Sequence, residues 1–361
     1  MTRRVSDRIT STKRKKTASW FPSGFQPVSS HRIAGVVTPF AALSVVLLAL
    51  YALALLLGEQ ALNPSSVLAA LRGIADPTDP ARYIVQELRL PRATLAVLVG
   101  AALAVAGAIA QAVLRNPLAE PGLLGINGGA ALAAMVVIVE LGHPSGALLP
   151  WLTFAGALAM ALVILALAWR EGAASARLIL IGVGLSSMAG AGATFIATFG
   201  EIANVQRAMI WLAGSLHDAR WPEIRRLLAW STLPVVAAWA AARELDTIAL
   251  GDEVAAGRGQ PVRAVRAALV VACALISGAA VAAAGLIAFV GLAAPHLARR
   301  LVGARHARLL PAAALLGALL VLAADILARS AMPPIQLPVG LVTALLGAPF
   351  FAWLLRVRRD G

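Results

Sequence analysis

Arginines stand at the edges of the apolar stretches of this chain, where they could form ion pairs and hydrogen bonds. Arg89 and Arg92 bracket a Leu-Pro step, and Arg329 lies four residues after Asp325 in the segment ADILAR. Residues four apart share one face of a helix, and a guanidinium group binds a carboxylate through charge-assisted hydrogen bonds. We therefore expect Asp325 to pair with Arg329, with proton relay as the alternative. Snorkelling of the arginine side chains to a polar surface would explain all three arginines without any chemistry.

Residue patterns typical of enzymes and metal sites are missing from the sequence. None of the histidines forms an HExxH motif or stands beside a nucleophile motif: His31, His143, His217, His296 and His306. His296 follows a proline and has no second ligand at metal-binding spacing, so a structural role is expected. The single cysteine, Cys273, cannot form a disulfide within one chain. The sequence thus predicts no catalytic site and no metal site.

Nucleotide-binding chemistry is also missing. A P-loop needs a lysine to reach the nucleotide phosphates. The three lysines of the chain are Lys13, Lys15 and Lys16, which lie far from any glycine-rich motif of that kind. We expect no cofactor on this chain, and any ATP used in its function would bind to a separate subunit.

A second set of polar residues follows a long apolar run at 92–113. Gln111 lies near the end of that run, and Asn116 and Glu120 each stand directly before a proline. Proline disfavours helix at the preceding residue, so the chain must turn there. We expect Gln111, Asn116 and Glu120 to satisfy backbone groups of a broken helix near a gate, with direct contact to a solute as the alternative.

Small residues mark the apolar segment at 178–199. Small side chains allow helices to pack closely in lipid, and they also allow a helix to line a wide pathway. Both interpretations stay open for the candidate pathway residues, which are Gly182, Gly184, Ser186 and Ser187.

Composition places these elements in a membrane. Hydrophobic residues make up 60% of the chain and charged residues 13%, whereas a soluble domain has about 25% charged residues. A bilayer crossing needs about 20 apolar residues in helix. The predicted fold is therefore an all-α polytopic membrane protein of about ten transmembrane helices. The candidate spans are 35–57, 92–113, 123–140, 147–169, 178–199, 227–242, 263–283, 286–302, 309–327 and 338–356.

The distribution of positive charge predicts the orientation. Residues 1–34 are basic, with Asp7 as the only acid, and are expected to form a disordered cytoplasmic tail before a permease domain at 35–361. The 298–308 segment has four arginines and no acid, which also indicates the cytoplasm. A turn near Ala284-Gly285 is then required, and both termini lie inside. The net charge of +14 indicates contact with membrane lipid and not with nucleic acid.

Two long motifs resemble the FecCD family of permease subunits. They are LRLPRATLAVLVGAALAVAGAIAQAVLRNPLAEPGLLGINGGA at 88–130, and GLIAFVGLAAPHLARRLVG at 285–303 followed by ADILAR, LPVG and LLGAPFF. The resemblance implies the type II ABC importer permease fold in a bacterial inner membrane. It further implies a homodimer with two ABC ATPase subunits and a periplasmic or lipoprotein solute-binding protein. The implied solute is an iron chelate, either a siderophore or haem, with cobalamin as the alternative.

The resemblance also assigns residues. Arg89, Arg92 and Arg329 match family positions that dock acidic residues of the binding protein. The loop at about 245–262 is long for a connection between membrane helices, and long ordered loops are often functional. It is similar to the family's coupling helix, although Arg258 replaces the usual leucine. The coupling residues implied by this match are Leu250, Gly251, Asp252, Glu253, Ala255 and Gly259.

An ion-coupled secondary transporter is a rival prediction from another class. Such a protein needs ionisable residues within the membrane to couple ion movement to transport. Carboxylates near the middle of the candidate spans are missing from the sequence. This favours an importer whose energy comes from a partner.

Overall fold

A computed structural model describes residues 30–58, 62–74, 79–142, 148–169, 175–332 and 335–357. The helices are α1 (Ser30–Leu56), α2 (Pro64–Leu71), α3 (Pro80–Tyr83), α4 (Leu90–Val113), α5 (Ile126–Met135), α6 (Leu148–Trp169), α7 (Ser175–Phe199), α8 (Ile202–Leu212), α9 (Trp221–Ala240), α10 (Ala242–Ala249), α11 (Asp252–Gly257), α12 (Val262–Ala284), α13 (Val290–Val302), α14 (His306–Ser330) and α15 (Val339–Val357). Two π-helical segments, Ile84–Arg89 and Val136–Glu140, and one 3₁₀ turn, Pro121–Leu124, connect some of them. The all-α prediction is confirmed.

Each predicted membrane span coincides with a helix. Six helical segments of the described chain are long and apolar enough to cross a bilayer: Thr38–Leu56, Pro80–Val113, Leu148–Trp169, Ser175–Phe199, Val262–Ala284 and His306–Ser330. Two shorter apolar helices cover Ile126–Glu140 and Val339–Pro349. The count of ten crossings stays a prediction, because α13 has 13 residues and a crossing needs about 20.

Helix α4 lies at the centre of the bundle because glycines let its backbone touch neighbouring helices. A methyl group at Gly100 would overlap the carbonyl oxygen of Gly317 in α14. One at Gly107 would overlap that of Gly291 in α13. Close approach of this kind maximises van der Waals contact where lipid offers no hydrophobic driving force between helices.

The central helix begins earlier than the sequence predicted. The helical segment runs without interruption from Pro80 to Val113, whereas the span was expected to start at 92. Asp79 caps this segment by accepting a hydrogen bond of 2.8 Å from the amide of Ala81. The π-helical turn before Pro91 accommodates a proline that would otherwise break the helix.

Three glycines meet at one end of the bundle. Gly214 and Gly285 lie between helices with positive φ angles of 74° and 71°, and Gly340 lies in the first turn of α15. The amide of Gly340 donates a hydrogen bond of 3.1 Å to the carbonyl of Gly214. The predicted turn near Ala284-Gly285 is confirmed, because α12 ends at Ala284. The chain can reverse there because its backbone groups bond to one another.

The predicted N-terminal tail lies mostly outside the described residues. Helix α1 begins at Ser30, so the last residues of the predicted 1–34 segment belong to this helix. The predicted disorder of residues 1–29 concerns a segment that lies outside the described residues.

Candidate functional site

One end of the bundle holds an arginine network, which we define as Arg89, Arg92, Asp325, Arg329 and Gln336. Arg89 donates hydrogen bonds of 2.7 and 2.8 Å from Nη1 to the carbonyls of Leu55 and Leu56. Arg329 donates one of 2.7 Å to the carbonyl of Ala54. The last carbonyls of a helix have no partner within it and carry partial negative charge. The two arginines therefore cap the C-terminus of α1.

Arg92 lies at the centre of the network. Its Nε is 2.8 Å from Oδ1 of Asp325, which is fully buried, and its Nη1 donates a 2.7 Å hydrogen bond to Gln336. Nδ1 of His217 lies 2.9 Å from the same oxygen of Gln336. Three separate parts of the chain are thus joined: α4, the α8–α9 link and the α14–α15 link.

The predicted pairing of Asp325 with Arg329 is confirmed, since their charged atoms are 3.6 Å apart. Arg92 is nevertheless the nearer partner, and sequence reasoning missed it because the two residues are far apart in the chain. Arg89, Arg92 and Arg329 are all less than 10% exposed. Their polar atoms face the protein, which excludes free snorkelling as a sufficient explanation.

The network borders two cavities. One, of about 300 Å³, is lined by all three arginines together with Gln336 and His217. The other, of about 700 Å³, lies between Arg92 and the α8–α9 region and has a mixed polar and apolar lining. The smaller cavity therefore brings three cationic groups around one opening.

The opposite end carries a helical hairpin, which we define as residues 242–259 and which consists of α10 and α11. Gly251 separates the two helices with a φ of 117°, a conformation that side chains disfavour. Gly259 ends α11 at a φ of 78°, and the next amide bonds to the carbonyl of Ala255. Glycine is required at such a helix end because the backbone is left-handed there. The predicted coupling loop is therefore an ordered helix–turn–helix.

A buried arginine anchors this hairpin. Arg266 of α12 is fully buried and donates a hydrogen bond to Asp252, the first residue of α11. Arg115 approaches the same carboxylate at 3.8 Å from the end of α4. Sequence reasoning did not select Arg266 or Arg115, although an arginine within the apolar run after 262 was a visible signal.

The predicted coupling residues divide into two groups. Ala255 is fully buried and Asp252 is used as an anchor, so these two hold the hairpin in place. Leu250 is 59% exposed, and Glu253 is exposed as well. Val254, which was not predicted, is 44% exposed beside them. The hairpin thus exposes an apolar pair, Leu250 and Val254, beside the residues that hold it in place.

The predicted gate residues bond to backbone groups at the end of α4 and at the start of α13. Gln111 is buried and donates a 3.4 Å hydrogen bond to the carbonyl of Leu292. Asn116 accepts one of 2.9 Å from the amide of Leu118. Glu120 accepts one from the amide of Phe289, and burial raises its pKa above the usual value for glutamate. Asn116 thus satisfies backbone of the broken helix, whereas Gln111 and Glu120 bond to backbone at the start of α13, and the gate role of all three stays a prediction.

Helix α7 presents its small residues in different directions. Gly182 is buried, and a methyl group there would overlap the carbonyl of Leu123, so its role is close packing and not pathway lining. Gly184 is exposed with open space beside it, and Ser187 is exposed and bonds to the carbonyl of Val183. Ser186 packs against Gly128. The open face of α7 therefore contains Gly184 and Ser187.

These features fit one family. The FecCD transport family matches residues 46–357, which is most of the chain. The chain belongs to the FecCD transport family. It is thus a multi-pass protein of the bacterial inner membrane.

Several relatives of this FecCD protein carry functional names. The Fe(3+)-citrate import system permease protein YfmE of Bacillus subtilis is 39% identical over 314 residues, covering 87% of this chain and 93% of that protein. The achromobactin transport system permease protein CbrC of Dickeya dadantii is 42% identical over 317 residues, covering 87% and 90%. A metal-chelate type ABC transporter solved in an inward-facing conformation superposes with a TM-score of 0.76 at 26% identity, covering 87% of this chain and 97% of that one. The predicted permease fold is confirmed.

Proposed function

We propose that this protein is the permease subunit of a binding-protein-dependent ABC importer that carries an iron chelate across the inner membrane. The observation that carries the proposal is the family match over 46–357, together with relatives named for ferric citrate and siderophore import. Membership of this family favours an importer over an ion-coupled secondary transporter.

ATP binding and hydrolysis belong to separate ATPase subunits, two for each transporter. The α10–α11 hairpin is the surface that these subunits contact. Leu250 and Val254 project from it as an exposed apolar pair, and the buried Arg266 fixes the base of α11. Because the hairpin is anchored to α12 and α4, movement of a bound ATPase is transmitted to the bundle.

Two copies of the chain form the transporter, with the solute pathway between them. The support is the open face of α7, where Gly184 and Gly190 have open space beside them. Large apolar side chains on the same helix are also exposed, including Phe195 at 65%. Small residues allow a second helix or a bulky solute to approach this face closely.

The binding protein docks at the arginine network. Arg89, Arg92 and Arg329 line one cavity of about 300 Å³. Asp325 is the carboxylate that pairs with Arg92 and Arg329 within the network. The positive charge that is left over attracts an acidic side chain of the partner. An exposed ion pair contributes at most about 1 kcal/mol, and these arginines are less than 10% exposed, so a homodimer that doubles the arginines is needed for stable docking.

The orientation follows from this assignment. The arginine network faces the periplasm, and the α10–α11 hairpin faces the cytoplasm together with both termini. The concentration of arginines at 298–308 on the hairpin side supports it, since positive residues accumulate in cytoplasmic loops.

Uptake by cells that lack their own importers tests the function. The chain is expressed with its ATPase and binding protein, and cells are given ferric citrate, a ferric siderophore, haem or cobalamin. We expect uptake of one of the iron-containing solutes. Uptake of cobalamin alone would favour the second candidate, which rests on a Vibrio cholerae vitamin B12 permease that is 39% identical over 311 residues.

A further inference from the structure

Helix α14 joins the two ends of the bundle. It begins at His306, which bonds to α10 of the hairpin, and near its other end it contains Asp325 and Arg329 of the arginine network. With 25 residues the helix is about 37 Å long. Because a helix is a stiff element, a displacement of its first turn can be carried to the residues of the network.

The first turn of α14 is capped by a residue of the hairpin. Arg305 stands at the N-cap position and makes no capping bond with its side chain. Instead, Asp246 of α10 accepts hydrogen bonds of 2.9 Å from the amide of His306 and of 2.6 Å from Nδ1 of the same residue. A carboxylate is favoured at a helix N-terminus, because the amides there lack partners and carry partial positive charge. The side chain of His306 is only 5% exposed, so this bond lies inside the fold.

A second bond ties the same turn to α9. Pro311 has no amide hydrogen, so the usual helical bond to the carbonyl of Ala307 is missing. Nε1 of Trp239, in the last turn of α9, donates a hydrogen bond of 3.1 Å to this carbonyl. One donor and one acceptor of the first turn are therefore satisfied by side chains from α10 and from the helix that leads into it.

The middle of α14 is held in a different way. A methyl group at Gly317 would overlap the carbonyl oxygen of Gly100 in α4, so the two backbones touch. Packed helices can slide past each other by small distances at such contacts. Polar side-chain bonds thus hold both ends of α14, and its middle packs against α4 by van der Waals contact.

We propose that Asp246 and His306 form a joint through which the hairpin moves α14, and that α14 carries this movement to the arginine network. Both are positioning residues, since they act on transport through α14. Nucleotide on the ATPase subunits then changes the affinity for the binding protein, and the binding protein changes the affinity for nucleotide by the same factor. The inference rests on the function proposed above, because it uses the two partners assigned there.

The linkage is measured on the full-length chain assembled with its ATPase in nanodiscs. The dissociation constant of the binding protein is determined without nucleotide and with a non-hydrolysable ATP analogue, and the ratio of the two constants is the readout. We expect the constants of the wild type to differ by about fivefold or more, the usual range for coupled sites. His306→Ala should bring the ratio close to one. Copurification of the ATPase shows that the variant still assembles.

Three further variants separate movement from capping. Asp246→Asn keeps an acceptor for the amide of His306 and should keep most of the linkage, whereas Asp246→Ala should lose it. Gln260→Ala is the matched control. It removes a 3.1 Å hydrogen bond to the carbonyl of Glu244, which supports the hairpin without reaching α14, and should keep the linkage. If His306→Ala does not fold, Asp246→Ala gives the same comparison at a partly exposed residue.

The outcomes distinguish the joint from the proposed function. Wild-type linkage in His306→Ala and Asp246→Ala, with lower melting temperatures, would mean that the pair only caps α14, and would overturn the inference. An equal loss of linkage in Gln260→Ala would also overturn it. Solute uptake by a wild type without linkage would overturn the inference and leave the proposed function standing. Failure of the chain to assemble with the ATPase and the binding protein would contradict the proposed function, and the joint with it.

Discussion

Arginines in two regions of this bundle are held in different ways. In the arginine network, Arg92 is 2.8 Å from Asp325, and Arg89 and Arg329 bond to the carbonyls at the end of α1. At the hairpin end, Arg266 is buried against Asp252, whereas Arg300, Arg305 and Arg308 are exposed. The comparison shows that burial and partners, and not residue type, decide whether an arginine is fixed in the fold.

Burial sets the energetic difference between the two ends. Removing one member of a buried ion pair leaves a charge without compensation, which costs far more than removing an exposed arginine. Substitutions in the arginine network should therefore mainly lower the stability of the chain. Substitutions of exposed residues on the hairpin should mainly weaken binding of the ATPase.

The largest effect is expected at the buried pair. Arg92→Met should destabilise the chain by about 3–5 kcal/mol, because the buried Asp325 would lose its nearer partner and keep only Arg329 at 3.6 Å. Unfolding in mixed micelles measures this. Arg92→Met combined with Asp325→Leu should recover only part of the loss, since the buried Arg329 then loses its carboxylate and keeps its hydrogen bond to the carbonyl of Ala54. A single variant as stable as the wild type would mean that the pair is not buried.

The next effect is expected at the hairpin. Leu250→Asp with Val254→Asp should weaken ATPase binding by about 2 kcal/mol or more, because an apolar contact is replaced by charge. Copurification of the ATPase measures it. Thermal stability should change little, since both residues are exposed. Leu68→Asp with Leu71→Asp, a pair of similar exposure on α2, is the control and should retain the ATPase.

A smaller effect is expected at the cap of α1. Arg89→Gln should destabilise the chain by about 1–2 kcal/mol, because the carbonyls of Leu55 and Leu56 lose a charged donor. Arg82→Gln, at the same end, removes a weak 3.5 Å contact to Gln86 and should cost little. If Arg89→Gln abolished uptake with no loss of stability, docking alone would explain this arginine.

The smallest effect is expected at Arg115. Arg115→Gly and Arg115→Ala both remove the side chain, but only glycine adopts a φ of 49° without strain. The glycine variant should therefore be more stable than the alanine variant by about 1 kcal/mol. Comparison of their melting temperatures measures this. The reverse order would show that the left-handed backbone at this position is absent in solution.

Local features of the fold could be predicted from the sequence. The apolar segments, the turn at Ala284-Gly285 and the pairing of Asp325 with Arg329 all follow from neighbouring residues. The turn at Asn116 and Glu120 follows from the prolines beside them. Each of these depends on hydrophobic length, on turn chemistry or on the helical repeat.

Features that depend on packing could not be predicted. The bond between Arg92 and Asp325 joins two helices that are distant in the chain, and nothing local selects that partner. The sequence left both close packing and pathway lining open for Gly182, because its direction depends on how α7 meets the turn at Leu123. The anchoring of Asp252 by Arg266 likewise exists only after α11 folds back on α12.

Transport by purified components tests the central claim most directly. Proteoliposomes containing the permease, its ATPase and the binding protein are supplied with a labelled ferric chelate. Uptake against a gradient should require ATP and the ATPase, and it should be lost in the Leu250→Asp, Val254→Asp variant. Uptake against a gradient by the permease alone would contradict the claim that the energy for transport comes from a separate ATPase.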